Sequence, residues 1–121
     1  MIELAQHIEV LLLENDCVIV PGLGGFVAHY TPAMRVAEEN VFLPPTRIIG
    51  FNPQLKMNDG LLVQSYMAVY DTDFSDATRI VEKEVAHIFT ALHEEGKVDL
   101  PNIGELRYSI HGIYEDRKSV V

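Results

Sequence analysis

The stretch "HIEVLLLENDCVIVPGLGGF", residues 7–26, occurs a second time in divergent form as "HIFTALHEEGKVDLPNIGEL", residues 87–106. The two stretches align without a gap at an offset of eighty, and seven of the twenty positions are identical. The identical pairs are His7/His87, Ile8/Ile88, Leu12/Leu92, Glu14/Glu94, Val18/Val98, Pro21/Pro101 and Gly24/Gly104. Self-similarity at a fixed spacing indicates a repeated structural unit, so the sequence predicts one supersecondary unit used twice.

Each copy is predicted to form a helix, a short strand, a tight turn and a second strand. A type II turn takes proline at its second position and a residue that tolerates positive φ at its third. Pro21-Gly22 in the first copy and Pro101-Asn102 in the second both satisfy this rule. The residues assigned to the two turns are Pro21, Gly22, Gly24, Pro101, Asn102 and Gly104.

The glycines of "PGLGGF" (21–26) also allow a second interpretation, a loop that holds a phosphate group. Such a loop opens a helix, whereas "FVAHY" (26–30) has the pattern of a strand, and the glycine spacing fits neither nucleotide-binding motif. In addition, Gly25 corresponds to Glu105 in the second copy, where a carboxylate would repel a phosphate. The turn interpretation is therefore favoured.

Two helices are predicted ahead of the second hairpin. The first is "LLVQSYMAVY" (61–70), which repeats an apolar or aromatic residue at every fourth position. The second follows directly, with Asp73 or Ser75 as its N-cap and an apolar stripe along its length. Gly96 is the kind of residue that ends a helix, so the second helix is expected to stop there.

The charge of the chain is acidic and unevenly distributed. The formal net charge is −9, with −4 in residues 1–30 and −5 in residues 61–96, while the remaining segments are neutral. A hydrophobic fraction of 48% with 22% charged residues is typical of a folded protein. An acidic surface repels a polyanion, and duplex DNA is bound largely through Lys and Arg contacts to phosphates.

The sequence contains no run of eighteen apolar residues, so no membrane segment is expected in this chain. A single cysteine, Cys17, cannot form an internal disulfide and is typical of a reducing compartment. The expected location is therefore the cytoplasm.

The repeated unit is similar to the central part of the HU/IHF family of bacterial DNA-architectural proteins. The most specific segments are "VPGLGGFVAHY" (20–30) and "PPTRIIGFNPQLKMNDGLL" (44–62), the second resembling the strand that returns from the family's β-arm. Two such units in tandem resemble a divergent branch found mainly in Bacteroidetes, whose members often precede a membrane helix and a SPOR domain. A related branch occurs in eukaryotic centrosomal proteins.

The resemblance implies an α+β fold of two degenerate helix–β-hairpin units in tandem that share one core. The expected units are residues 1–58 and residues 59–121, where the first lacks a leading helix and the second ends after its hairpin. Asn52-Pro53 supplies an N-cap and a first-turn proline, so the family's final helix is expected to begin there.

In the HU/IHF family a basic arm enters the DNA minor groove, and a proline near the arm tip wedges between base pairs. The corresponding segment here, "HYTPAMRVAEEN" (29–40), contains Pro32 but one arginine and two glutamates. Binding of DNA is thus disfavoured. It remains as an alternative, a nucleoid-type protein whose DNA contacts are Arg35, Arg47 and Lys56.

No catalytic, metal or cofactor site is predicted. His7 and His87 occupy equivalent positions, but His7 has no suitable second ligand three or four residues after it, so a partly buried helical histidine is favoured over a metal site or pH switch. Cys17 has no neighbouring base, and Ser65 and Ser75 lie in no nucleophile motif. The chain is expected not to be an enzyme.

The segment 29–51 is the most neutral part of the chain and carries apolar residues at both strand parities. Because burial requires only one strand face, the surplus predicts a contact with a protein partner or with a second copy. The predicted contact residues are Phe42, Leu43, Pro44, Pro45 and Ile49. The resulting hypothesis is a non-enzymatic interaction or scaffold module, which the resemblance connects with cell division or the cell envelope.

Overall fold

The fold was determined as a computed structural model that describes residues 3–31, 34–36, 41–43 and 46–116. These residues form three helices and eight strands. In chain order they are α1 (Glu3–Leu11), β1 (Cys17–Val20), β2 (Gly24–Thr31), β3 (Met34–Val36), β4 (Val41–Leu43), β5 (Thr46–Asn52), α2 (Leu61–Tyr70), α3 (Phe74–Glu95), β6 (Lys97–Leu100), β7 (Gly104–Ser109) and β8 (Gly112–Asp116).

The repeat in the sequence is a repeat in the structure. Strands β1, β2 and β5 form one antiparallel sheet, and β6, β7 and β8 form another with the same strand order. The first hairpin pairs Val20 with Gly24, and the second pairs Leu100 with Gly104, which preserves the offset of eighty. The predicted helix, strand, turn and strand of each copy are therefore confirmed, and β5 is the expected returning strand of the first copy. The expectation that the second copy ends after its hairpin is wrong, because β8 adds a third strand to it.

The two units differ in the connection between their second and third strands. In the first unit this connection is residues 32–45, which include the two-stranded ribbon β3–β4 that pairs Met34 with Leu43. In the second unit Ser109 pairs directly with Gly112, so that only Ile110 and His111 form the turn. The second unit thus has a tight hairpin where the first has an arm.

Helix α3 begins and ends where the sequence predicts. The Asp73 carboxylate accepts a hydrogen bond from the Asp76 backbone N–H at 2.8 Å, which satisfies one of the free donors of the first turn. Gly96 ends the helix with φ +79°, a conformation that costs little without a Cβ atom.

One predicted helix is absent. The sequence predicts a helix from Asn52-Pro53, but residues 53–60 form turns and bends, and the next helix starts at Leu61. The Asn52 side chain accepts a hydrogen bond from the Gln54 backbone N–H at 2.9 Å, which forms a local turn instead of a helix cap. Met57 is almost fully exposed, so this segment has no apolar face whose burial could stabilise a helix.

The buried apolar side chains of both units form one cluster. It combines α1, β1 and β2 of the first unit with α2, α3, β6 and β7 of the second. Its largest fully buried members are Tyr66, Phe26, Leu4, Ile8, Leu12, Leu23, Leu62, Leu92, Leu100, Leu106, Val18 and Val20. Equivalent positions such as Leu12 and Leu92 are therefore buried in the same core. None of the helices in the described ranges is long and apolar enough to cross a membrane.

Candidate interaction surfaces

The glycine-rich segment turns the chain. Gly22 has φ +80° and Asn102, its counterpart, has φ +64°, as the turn chemistry predicts. The residue that follows the turn, Gly24, begins strand β2 and not a helix, so there is no helix N-terminus at which a phosphate could be held. The phosphate-loop interpretation is excluded by this geometry.

Gly24 and Gly25 are required by close packing. A Cβ atom on Gly24 would lie 2.4 Å from the ring of Phe51, and one on Gly25 would lie 2.8 Å from the Cβ atom of Leu55. Leu55 belongs to the segment after β5, and the second unit is described only as far as its own third strand. The position equivalent to Gly25 in that unit is Glu105, whose carboxylate pairs with Arg107 at 2.8 Å.

The three bases proposed for DNA binding do not form one cluster in the described residues. Arg47 lies opposite Tyr30 near the arm end of β5, whereas Lys56 is exposed in the loop beyond the other end of that strand. The five residue steps from Arg47 to Asn52 span about 17 Å in a strand. Arg35 lies in β3, paired with Phe42, and its side chain is outside the described part.

Arg47 is the most unusual of these bases. Its Nε and Nη2 atoms are buried, and no hydrogen-bond partner for them is present among the described side chains. It shares a strand face with Ile49 and Phe51, which pack against the core, so the guanidinium lies at the edge of the apolar cluster. Two guanidinium nitrogens of this half-buried side chain are therefore shielded from solvent without a partner among the described side chains.

The predicted partner residues fall in different places. Pro44 and Pro45 lie outside the described residues, and for Phe42 and Leu43 only the backbone in β4 is described. Ile49 lies opposite Ala28 and packs against the core.

The apolar residue of β5 that reaches the surface is the neighbouring Ile48, which is 39% exposed. Its cross-strand partner is His29, and Val27 follows two positions along on the same face. This outer face of β2 and β5 continues into a groove of about 560 Å³ that Tyr114 and Glu115 of β8 close on the far side. We call Val27, His29, Ile48 and Tyr114 the strand surface.

A polar cluster joins the helices of the two units, and sequence reasoning did not find it. His7 is only 7% exposed, and its Nδ1 atom lies 2.7 Å from the Ser65 hydroxyl. Its Nε2 atom lies 3.2 Å from the Glu3 carboxylate, and its ring stacks on Tyr66 with centroids 3.9 Å apart. The spacing of Glu3 and His7 is visible in the sequence, but the contact with Ser65 crosses from one unit to the other.

The two carboxyl groups of this cluster, Glu3 and Glu84, have pKa values that are shifted in opposite directions. The Tyr70 hydroxyl donates to Glu3 at 2.6 Å, which is the largest cause of a lowered pKa of the Glu3 carboxyl. Glu84 accepts a hydrogen bond from the Leu4 backbone N–H at 3.1 Å, yet its burial raises the pKa of its carboxyl. The cluster therefore fixes the first turn of α1 to helices α2 and α3.

The geometry gives this cluster a structural role. The serine, histidine and glutamate contacts resemble a catalytic relay, but His7 is buried under Tyr66 and neither His7 nor Ser65 lines the groove that opens beside Glu3. No group of residues in the described ranges is arranged to hold a metal ion. Burial raises the pKa of the Cys17 thiol, which makes it a poor nucleophile.

The fold and its surfaces define an HU-like protein: a helix followed by a three-stranded antiparallel sheet, present twice, with one arm in the described ranges. Comparison with protein families agrees. Residues 1–59 match the CCDC81-like prokaryotic HU domain 1, and residues 60–115 match the CCDC81-like prokaryotic HU domain 2. The chain belongs to this tandem-HU family. Searches of curated proteins and of solved structures found no match.

Proposed function

We propose that this chain is a non-enzymatic HU-like module that binds a protein, either a partner or a second copy, through the strand surface. The HU-like domains give it a fold of the DNA-binding type. The proposal extends to a role in cell division or at the cell envelope, as the tandem-HU resemblance implies. A single cysteine, Cys17, favours a reducing compartment such as the cytoplasm.

The observation that carries the proposal is the composition of β5. Its outer face exposes Ile48 beside His29, whereas the inner face carries Ile49 against the core. An exposed isoleucine beside a groove that His29 and Tyr114 line is the type of surface that excludes water on binding a protein.

Two observations disfavour the nucleoid-type alternative. The second unit has a tight hairpin at Ile110 and His111 in place of an arm, so the two units of one chain do not supply a pair of arms. The net charge of −9 opposes the approach of phosphates, and Arg47 and Lys56 are at opposite ends of β5. The alternative retains one supporting observation, the buried guanidinium of Arg47, which has no partner among the described side chains.

Substitution of two neighbouring isoleucines by aspartate tests the strand surface. Ile49→Asp places a charge against the core and should lower the melting temperature strongly or unfold the protein. Ile48→Asp, on the opposite strand face, should leave the melting temperature within a few degrees and abolish self-association in sedimentation experiments. A wild-type protein that is monomeric at all concentrations excludes the second copy as partner. Equal unfolding of both variants would contradict the proposed surface.

A further inference from the structure

Helix α2 covers one side of the first unit. It packs across α1 and β1, where Ser65 meets His7 and where Val18 of β1 is fully buried. Asp59, just before the helix, accepts a hydrogen bond from the Ile19 backbone N–H at 3.2 Å and so covers the outer edge of β1. The apolar residues of α2 that make this contact, Leu62 and Tyr66, have no exposed surface.

The equivalent side of the second unit is open. The repeat places His87, Ile88, Ala91 and Val98 where the first unit has His7, Ile8, Leu11 and Val18. These four residues line a groove of about 550 Å³ between α3 and β6, together with Ile80, Lys83 and Glu84 of α3, Glu3 of α1 and Tyr70 of α2.

The exposures of the equivalent residues differ accordingly. His87 is exposed where His7 is buried, and Val98 is half-buried where Val18 is fully buried. No helix in the described ranges lies over this groove as α2 lies over the first unit.

We propose that this α3–β6 groove binds an amphipathic α-helix of a partner protein, in the position that α2 occupies on the first unit. The same sequence pattern forms the same kind of concave, apolar surface in both units, and in the first unit its occupant is a helix. A second copy of this chain does not supply that helix, because the apolar residues Leu62, Val63 and Tyr66 of α2 are already buried in its own core.

Charge and hydrogen-bonding groups define the partner helix further. Glu3 and Glu84 line the groove with one base, Lys83, and residues 61–96 carry a net charge of −5. The partner helix therefore carries basic residues beside its apolar stripe. His87, which is exposed in the groove, takes a hydroxyl group from the partner as His7 takes the hydroxyl of Ser65.

A peptide with the sequence of α2 tests this proposal directly. The probe is a fluorescently labelled peptide of residues 59–72 with Gln64→Lys and Ala68→Lys, two positions that are exposed in α2. It retains the apolar face and the Ser65 hydroxyl and adds the positive charge that the groove requires. Saturable binding to the intact protein, measured by fluorescence anisotropy, is the expected result.

Two variants of α3 provide the matched comparison. Ala91→Lys places a charged side chain in the groove and should weaken peptide binding at least about tenfold. Ala86→Lys makes the same change at an exposed position of the same helix that does not line the groove, so affinity should be unchanged. Melting temperatures within a few degrees of wild type ensure that both variants are folded.

The same experiment can overturn the proposal. Absence of saturable binding, or binding that Ala91→Lys and Ala86→Lys weaken equally, shows that the groove does not take a helix. Self-association that Ala91→Lys abolishes shows that a second copy occupies the groove, which also contradicts a partner helix. The strand surface is not involved in either readout, so Ile48→Asp should leave peptide binding intact, and failure here does not affect the proposed function.

Discussion

At the scale of single residues, the turn of the first hairpin depends on backbone conformation alone. A Cβ atom on Gly22 would meet nothing within 4 Å, but φ is +80°. The second unit uses Asn102 at φ +64° for the same purpose, because the asparagine side chain tolerates the left-handed region better than other side chains do.

Gly22→Val should therefore lower the free energy of unfolding by about 1 kcal/mol or more, since a β-branched residue is strained at positive φ. Gly22→Asn is the matched control and should cost less, because the repeat already carries asparagine at this position. Urea denaturation of both variants is the measurement. Equal effects of the two changes would show that strain at positive φ does not decide the stability of this turn.

The sequence predicts these residue-scale features where the chemistry is local. Proline followed by glycine or asparagine identifies both turns without knowledge of the fold. The reason for Gly24 and Gly25 is not local, because Phe51 and Leu55 reach them from a distant strand and loop. The same is true of His7, whose partner Ser65 lies on another helix.

At the scale of the helices, two copies of one element have different neighbours. His7 and His87 occupy the same position of the repeat, but His7 is buried against Ser65 and Tyr66 while His87 is exposed. The difference arises from α2, whose Ser65 and Tyr66 lie against His7 and not against His87.

His7→Ala should lower the free energy of unfolding by about 2 kcal/mol or more, because it removes a stacked ring, leaves the Ser65 hydroxyl without its histidine partner and removes one of the contacts of Glu3. His87→Ala should change it by less than about 0.5 kcal/mol, as is usual for an exposed site. Thermal or urea unfolding of the two variants measures this difference. Similar losses would contradict the conclusion that α2 buries His7 but not His87.

The polar cluster at the start of α1 predicts a dependence of stability on pH. Donation from the Tyr70 hydroxyl lowers the pKa of the Glu3 carboxyl below its usual value of 4.5. A carboxyl with a lowered pKa in the folded state stabilises the protein above its unfolded pKa, and this contribution is lost as the pH falls through the folded pKa.

Tyr70→Phe should therefore have a lower melting temperature than wild type near neutral pH, and the difference should close as the pH falls from about 5 to about 3. Tyr114→Phe removes the hydroxyl of another half-exposed tyrosine, which lies on β8 away from the polar cluster, and provides the control. A difference for Tyr70→Phe that is constant over this range would show that the Glu3 carboxylate does not carry the effect.

The elements themselves are predicted well where periodicity and caps agree. Asp73 and Gly96 delimit α3, and the fourth-residue pattern identifies α2. The helix predicted to begin at Asn52-Pro53 does not form, because the residues after this favourable cap have no apolar stripe. The Asn52 side chain stabilises a turn instead. Cap chemistry alone does not form a helix without tertiary packing.

At the scale of the whole molecule, the two units form one body with a shared core. Leu4 of the first unit donates its backbone N–H to Glu84 of the second, and Asn102 of the second reaches Glu9 of the first at 3.4 Å. The repeat in the sequence predicts two similar units and the shared core. It does not predict that, within the described ranges, α2 packs against β1 while the equivalent groove beside β6 is open, or that only one unit has an arm.

The charge of the whole molecule decides between the proposed protein-binding function and the nucleoid-type alternative. The net charge is −9, only the first unit has an arm among the described residues, and Arg47 and Lys56 lie towards opposite ends of β5. The affinity for a generic DNA duplex should therefore be no better than about 100 μM at physiological salt. Titration of a labelled duplex with the protein at low and at moderate salt is the most direct measurement. We expect weak binding that the double variant Arg35→Ala with Arg47→Ala does not change. Micromolar affinity that falls steeply with salt and is lost in that double variant would contradict it.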